Sequence, residues 1–313
     1  MFGLRVTGFP ALPGSPTPPR AGAPRAVELS VVEESALSER WQPREPRRIV
    51  ERRLADGSLV LAVDEDPTNG YLIEAPEVGV HLVSSDGGEV LLAVPQGPDW
   101  FWQRLLFAQT LPIAAALQGL GLFHASAVRI ADRAVGVSAP SGTGKSSTAT
   151  HLIAQGAEFL TDDVLALDVV DGAVIAFAGP EFANVEAHEL SAVDPGRRER
   201  LGPLLGASAK QHLRPALTQT SLPLGALYLL ERRAGFDELR IEALHASGIP
   251  TLLAGAFIPH LGTDRRLVGH LELCGQMVTD GQIFRVLAPL HGSAAAVAAA
   301  VMDHARTRFA DGS

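Results

Sequence analysis

The sequence predicts an α/β chain: a β-rich N-terminal domain over residues 26–98, followed by a larger domain of alternating strands and helices over 99–313. Three observations predict it. Short alternating or β-branched runs, separated by turns such as Asp56-Gly57 and Asp86-Gly87-Gly88, fill the region from Ala26 to Val94. From His124 onward, apolar runs of strand length alternate with runs of helix length. Within that second texture an apolar strand runs into Ala139-Pro140-Ser141-Gly142-Thr143-Gly144-Lys145-Ser146, a phosphate-loop pattern at a strand-to-helix turn.

Composition sets the bounds. The 313 residues are 46% hydrophobic, which excludes global disorder and supplies ample core material. A formal net charge of -9 argues against a general nucleic-acid binder. The single cysteine, Cys274, excludes an intramolecular disulfide framework and fits a reducing compartment. Only two of the 26 basic residues are lysines, Lys145 and Lys210. The apolar stretch Leu105–Phe123 is interrupted by Gln109, Thr110, Pro112 and Gln118, so it reads as a buried helix and not a membrane span. The expectation is a soluble, cytoplasmic protein with no membrane partner, leaving room for a homo-oligomer.

The elements follow in order. Residues 1–25 carry Pro10, Pro13, Pro16, Pro18, Pro19 and Pro24 and read as a flexible leader. Strands are expected at Val27–Val32, Leu59–Val63, Tyr71–Ile73, Gly79–Val83 and Glu89–Val94, forming a mostly antiparallel sheet. A helix over Trp100–Gly119 starts after Pro98 and Asp99. Ala125–Ile130 and Ala134–Ser138 read as paired strands, Ser146–Gln155 as a helix ended by Gly156, and Glu158–Leu160 as a short strand. Val164–Val169 and Ala173–Ala178 form a hairpin about Asp171-Gly172. Later strands are expected at Leu224–Glu231 and Leu239–Leu244, with a closing helix over Ser293–Thr307.

The loop is the most informative passage because its chemistry needs these residue types. Gly142 and Gly144 let successive backbone N–H groups curl inward toward phosphate oxygens. The helix that starts near Lys145 turns its positive dipole end to the same anion. Lys145 can reach the β- and γ-phosphates, and the Ser146 hydroxyl can ligate Mg²⁺. Ser141, Gly142, Thr143, Gly144, Lys145, Ser146 and Ser147 are therefore the candidate nucleotide-binding residues. Alanine takes the place of the usual first glycine at Ala139.

Asp162 and Asp163 end the strand that follows the loop helix. One carboxylate can hold the metal while the other accepts the proton of an attacking hydroxyl. Two adjacent acids also suppress each other's ionisation, so one proton can be retained near neutral pH. His124 opens the strand before the loop, where it could contact phosphate or position the acidic pair.

Three segments, Phe123-His124-Ala125-Ser126-Ala127, Ser141–Ser147 and Leu160-Thr161-Asp162-Asp163, together resemble the HPr kinase/phosphorylase family. The likeness is to its stand-alone HPr-kinase-related kinases, as found in peptide natural-product and lasso-peptide clusters. The stretch extends over about Asp99 to Arg233, with weaker echoes at Gly179-Pro180, Lys210 and Leu222–Glu231. What the resemblance implies is a P-loop kinase domain of the HPr kinase/phosphoenolpyruvate carboxykinase type. It implies ATP and Mg²⁺ as cofactors and transfer of phosphate to a serine-type hydroxyl. Asp162 or Asp163 would be the catalytic base, with Lys145 and His124 completing the catalytic set and Ser146 and Asp163 as metal ligands. The acceptor would be a peptide or protein, such as a ribosomal natural-product precursor, or a small hydroxylated metabolite. A non-catalytic nucleotide-sensing module is the alternative, and a phosphohydrolase acting on ATP alone is a third reading. The family's glycine-rich segment with its catalytic arginine is not found after the acidic pair, which argues against phosphorolysis. Its second metal carboxylate has three candidates, Glu181, Glu186 and Glu189.

Other charged residues have plainer readings. Lys210 is a solvated surface lysine or part of a lid over the transferring phosphoryl group, flanked by Arg197, Arg198, Arg200 and Arg214. Arg44, Arg47, Arg48, Arg52 and Arg53 form a solvated basic face on which an acidic peptide could dock. His245, His260, His270 and His291 lack ligand spacing, and Arg265-Arg266 reads as a loop tip.

Overall fold

A computed structural model of the chain describes residues 1–8, 25–95, 99–217, 219–245, 248–257 and 264–311. The expected roles of Pro10, Pro13, Pro16, Pro18, Pro19, Pro24, Pro98 and His260 lie outside the described residues. The chain is mixed α/β and divides into two compact units, one ending at Leu120 and one comprising Gly121–Phe257 with the residues from Asp264 onward. Among the described residues no helix is long and apolar enough to cross a membrane.

The first unit is built on a seven-stranded sheet. In chain order its elements are β1 (Leu4–Thr7), β2 (Arg25–Val31), α1 (Glu34–Arg40), β3 (Arg47–Arg53), β4 (Leu59–Asp66), β5 (Gly70–Ala75), β6 (Gly79–Val83) and β7 (Glu89–Ala93). The order across the sheet is β1-β2-β7-β6-β5-β4-β3, antiparallel except for the β1/β2 and β2/β7 pairs. The expected leader therefore does not hold over its first residues: Leu4–Thr7 pairs with β2, and Phe2 and Leu4 are buried. Apolar side chains near a chain end gain more from burial than the segment loses in freedom.

β3 was not expected as a strand, although its arginines stay exposed as a solvated face should. It is an edge strand whose guanidinium groups are met by acids on the neighbouring strand, Arg47 by Glu65 and Arg48 by Asp64. Charged edges of this kind discourage further strand pairing.

The expected helix is present as α2 (Asp99–Leu105) and α3 (Leu111–Leu117), joined by a wider π turn over Leu106–Thr110. Pro112 explains the widening: it lacks an N–H, and its ring would strike the carbonyl four residues earlier in a regular helix. The helix belongs to the first unit and not, as the boundary at residue 98 implied, with the phosphate loop. Buried His81 on β6 meets Thr110 at 2.7 Å, and Gln118 donates to the carbonyls of Ala26 and Gly87.

The second unit has a nine-stranded sheet. Its elements run β8 (Gly121–Phe123), β9 (Ala125–Ile130), β10 (Arg133–Ser138), α4 (Lys145–Ala154), β11 (Glu158–Thr161), β12 (Leu165–Val170), β13 (Ala173–Phe177), β14 (Ala183–Val185) and α5 (Ala187–Ala192). After a 3-10 turn over Pro195–Leu201 come β15 (Leu204–Ala207), β16 (Gln211–Leu213), β17 (Ser221–Arg233), β18 (Arg240–Ala243), α6 (Ile249–Ala254), α7 (Asp264–Thr279), β19 (Ile283–Pro289) and α8 (Ala294–Asp311). The main path is β11-β9-β10-β17-β13-β12-β8, with β19 paired to the second half of β17 and β18 to β19. β10, β17 and β19 are mutually parallel, whereas β9 and β11 run antiparallel to their neighbours.

Both faces of this sheet are covered, as its near-continuous apolar strands require. One core joins Val135, Val137, Tyr228 and Val286 to Leu152 and Ile153 of α4 and to Val297, Val301 and Met302 of α8. The other joins Ala127, Leu165 and Leu227 to Leu273, Cys274 and Met277 of α7. Arg266 thus lies on a helix, not on a loop tip. A small separate sheet, β14-β16-β15, completes the unit.

Candidate active site

The phosphate-loop segment leaves the end of β10 and enters α4 at Lys145, as its glycines allow. Gly142 and Gly144 have φ of 79° and 111°, conformations that L side chains rarely adopt, and Gly144 is the N-cap of α4. The Thr143 N–H closes the turn on the Pro140 carbonyl at 3.2 Å. The first turn of α4 therefore opens toward the space beyond β10, where its free N–H groups and dipole favour an anion.

Three separate segments converge here because β9 runs antiparallel to both β10 and β11. The start of β9 thus lies beside the ends of β10 and β11, bringing His124, Lys145, Asp162 and Asp163 to one edge. His124 Nδ1 lies 3.0 Å from the Asp163 carbonyl oxygen, and its Nε2 lies 2.8 Å from Lys145 Nζ. A carbonyl only accepts, so Nδ1 carries the ring proton and Nε2 accepts from the ammonium. Burial first, then the Lys145 charge, depress the basicity of His124, which agrees with a neutral ring. Lys145 is only 6% exposed; burial lowers its pKa while the two aspartates oppose that shift.

Asp162, 7% exposed, collects three donors. Its Oδ1 accepts from Ser126 Oγ at 2.6 Å and from Ser146 Oγ at 2.9 Å, and its Oδ2 accepts from the Asn184 N–H at 2.8 Å. Asp163 sits in the left-handed region at φ 65°, in a turn closed by the Val164 N–H on the Asp162 carbonyl and by Thr161 Oγ1 on the Val164 carbonyl. Aspartate tolerates this region better than most residues, and Asp171 adopts it too in the β12/β13 turn. Burial, reinforced by the Asp162 charge, raises the Asp163 pKa to about 6, against the opposing pull of Lys145, Lys210 and Asn184.

Asn184 links the two acids: its N–H serves Asp162, and its Nδ2 donates to Asp163 Oδ2 at 3.1 Å. Its Oδ1 accepts from His212 Nδ1 at 2.8 Å, and His212 Nε2 accepts from Ser208 Oγ at 2.8 Å. The small β14-β16-β15 sheet carries this relay, because β14 supplies Asn184 and β16 supplies His212.

The sequence left the metal carboxylate to be chosen between two neighbours and took Asp163. The structure instead sets Asp162 against Ser146, and turns Asp163 toward Asn184, with its carbonyl to His124. The three glutamates considered as a second ligand are engaged elsewhere. Glu181 accepts from the Leu217 N–H, Glu186 lies 3.6 Å from Lys210, and Glu189 accepts from His151. Lys210 is half-buried, and its charge reaches His124, Lys145 and Asp163. Asn184 and His212 carry no motif, so nothing local marks them. Ser126 lies within the Phe123–Ala127 segment, and its contact with Asp162 is visible only in the folded chain.

Oxygen donors suit a hard divalent cation, and Ser146 with Asp162 forms such a pair. Among the described residues no group of three or more His, Cys, Asp or Glu could hold a metal ion, so phosphate oxygens and water would complete its shell.

No protein-family model and no curated protein matches the chain. Among solved structures it is similar to the HPr(Ser) kinase/phosphatase from Coxiella burnetii, at 12% identity over 61% of this chain and 97% of that chain, with a TM-score of 0.32. So loose an overlay leaves the side-chain geometry above to stand on its own.

Proposed function

We propose that this chain is an ATP- and Mg²⁺-dependent phosphotransferase that moves the γ-phosphoryl group to a serine-type hydroxyl on a peptide or protein. The observation that carries the reading is the contact at 2.9 Å between Asp162 and Ser146, the hydroxyl residue that ends the phosphate-loop motif. A second carboxylate, Asp163, lies beside it with its basicity raised.

In the reaction the acceptor oxygen forms a bond to the γ-phosphorus as the bond to the β,γ-bridging oxygen breaks, and ADP leaves with that electron pair. Asp163 takes the hydroxyl proton; a carboxylate with a pKa near 6 is better matched to this work than an ordinary one. Ser146 and Asp162 would hold Mg²⁺, which supplies charge neutralisation and orientation of the phosphates when bound. Lys145, kept in place by His124 Nε2, offsets charge on the transferring group. The loop N–H groups after Gly142 hold the phosphate chain.

Phosphoryl transfer from γ-labelled ATP with Mg²⁺ tests this, using serine-containing peptides and a panel of hydroxylated metabolites beside the Lys145→Ala variant. Label on a peptide that is lost in the variant supports the reading. Label on a metabolite alone keeps the phosphotransferase and changes its acceptor. Tight ATP binding with no label moved to any acceptor or to water replaces the enzyme with a nucleotide-sensing module.

A further inference from the structure

We infer that the nucleoside end of the nucleotide docks on the β17/β19 side of the phosphate loop, against the turn Leu290–His291, which provides the surface for the nucleobase. This placement rests on the nucleotide-dependent reading above and adds a direction to it.

The direction comes from the order of strand ends along one sheet edge. Reading across, the edge presents the end of β11, the start of β9, then the ends of β10, β17 and β19. Asp162, Asp163 and His124 occupy the β11 and β9 positions, so the reacting end of a phosphate chain held at the β10 end must face that way. The nucleoside then has to leave in the opposite direction, over β17 and β19. In open α/β sheets ligands lie outside the carboxyl ends of parallel strands, and β10, β17 and β19 form the parallel set here.

Arg232, near the end of β17, holds the two loops side by side. Its Nε donates to the Thr143 carbonyl at 2.8 Å, and its Nη1 donates to the Pro289 carbonyl at 3.2 Å and the Gly292 carbonyl at 2.5 Å. Its Nη2 lies 3.4 Å from where a Cβ on Gly144 would stand. The turn after β19 is thereby tied to the phosphate loop, two strands across from β10 and four residues further along the strand direction than Ser138. Its backbone is also tied, by the Leu290 N–H to the Arg233 carbonyl and the Gly292 N–H to the Pro289 carbonyl, both at 3.0 Å. On this rigid turn Leu290 is 48% exposed and His291 is exposed. An exposed apolar side chain beside an exposed imidazole suits the face and edge of a planar heterocycle.

Calorimetric titration of the full chain with Mg-ATP and, separately, with inorganic tripolyphosphate isolates the nucleoside contribution. Leu290→Ser and His291→Ala together should weaken ATP about five-fold or more and leave tripolyphosphate affinity unchanged. Thermal midpoints should match wild type because both side chains are exposed. Unchanged ATP affinity in the double variant overturns the placement, as does an equal loss for both ligands, which would show an effect on the loop. If the wild-type chain binds neither ligand, or Lys145→Ala binds both as wild type does, the nucleotide-dependent reading itself falls and takes the placement with it.

Discussion

Ser146 Oγ donates to Asp162 Oδ1 at 2.9 Å across a separation of 16 residues, and that contact sets two adjacent acids apart. Asp162 faces the phosphate-loop hydroxyl, while Asp163 faces Asn184. Ser146→Ala and Asp162→Asn should therefore raise the Mg²⁺ concentration needed for half-maximal turnover about ten-fold or more, on the scale of lost metal-site partners. Asp163→Asn should leave that concentration unchanged. Titration of activity against Mg²⁺ at saturating ATP distinguishes them, and a similar rise in all three variants would erase the division.

In the proposed mechanism Asp163 accepts the proton, so its loss should act on the chemical step rather than on nucleotide binding. Asp163→Asn should lower kcat by roughly 10²–10⁴ with ATP affinity preserved. Near-wild-type turnover in both aspartate variants would sink the mechanism.

Asn184 touches both acids and is itself oriented by His212. Asn184→Ala keeps the backbone N–H to Asp162 but removes the amide donor to Asp163, so kcat should fall roughly ten-fold with little change in the KM for ATP. His212→Ala should shift kcat in the same direction by a smaller factor. A pure KM effect in steady-state kinetics would show that the relay serves binding instead.

Stability should fall on acidification, with His81 as one source. The ring is fully buried in the first unit, and burial lowers its pKa to about 3 from an ordinary 6.5. The unfolded chain therefore takes up a proton that the folded chain refuses. This contribution is complete above about pH 6.5 and is lost as pH falls toward 3, at up to about 1.4 kcal/mol per pH unit. Denaturant unfolding of wild type and His81→Gln at pH 7 and pH 5 measures it. The variant should lose less stability between the two, and an identical loss would place the acid sensitivity elsewhere.

Much of this architecture was legible in the chain. Gly79–Val83 and Ala125–Ile130 were read to the residue, because alternation and flanking turn residues act locally. The strand–loop–helix unit about Lys145 was legible for the same reason. β3 was not, because seven residues with four exposed arginines show no apolar alternation, and the strand forms by pairing with Glu65 and Asp64 across the ladder. β14, β15 and β16 are three or four residues long, too short to show a period, and they form only by pairing with each other.

By itself the sequence determined which residue types meet: a glycine-rich turn, one of two lysines, a hydroxyl, two acids and a histidine, each written in a local motif. It took the folded chain to show which acid faces the hydroxyl, which atom of His124 bears its proton, and that Asn184 touches both acids while Arg232 touches the phosphate loop. Those choices depend on antiparallel pairing that brings the start of β9 to the ends of β10 and β11, and on side chains delivered from strands far apart in the chain. Local propensity carries no record of such neighbours, since their energies exist only once the strands are paired and the acids are withdrawn from water.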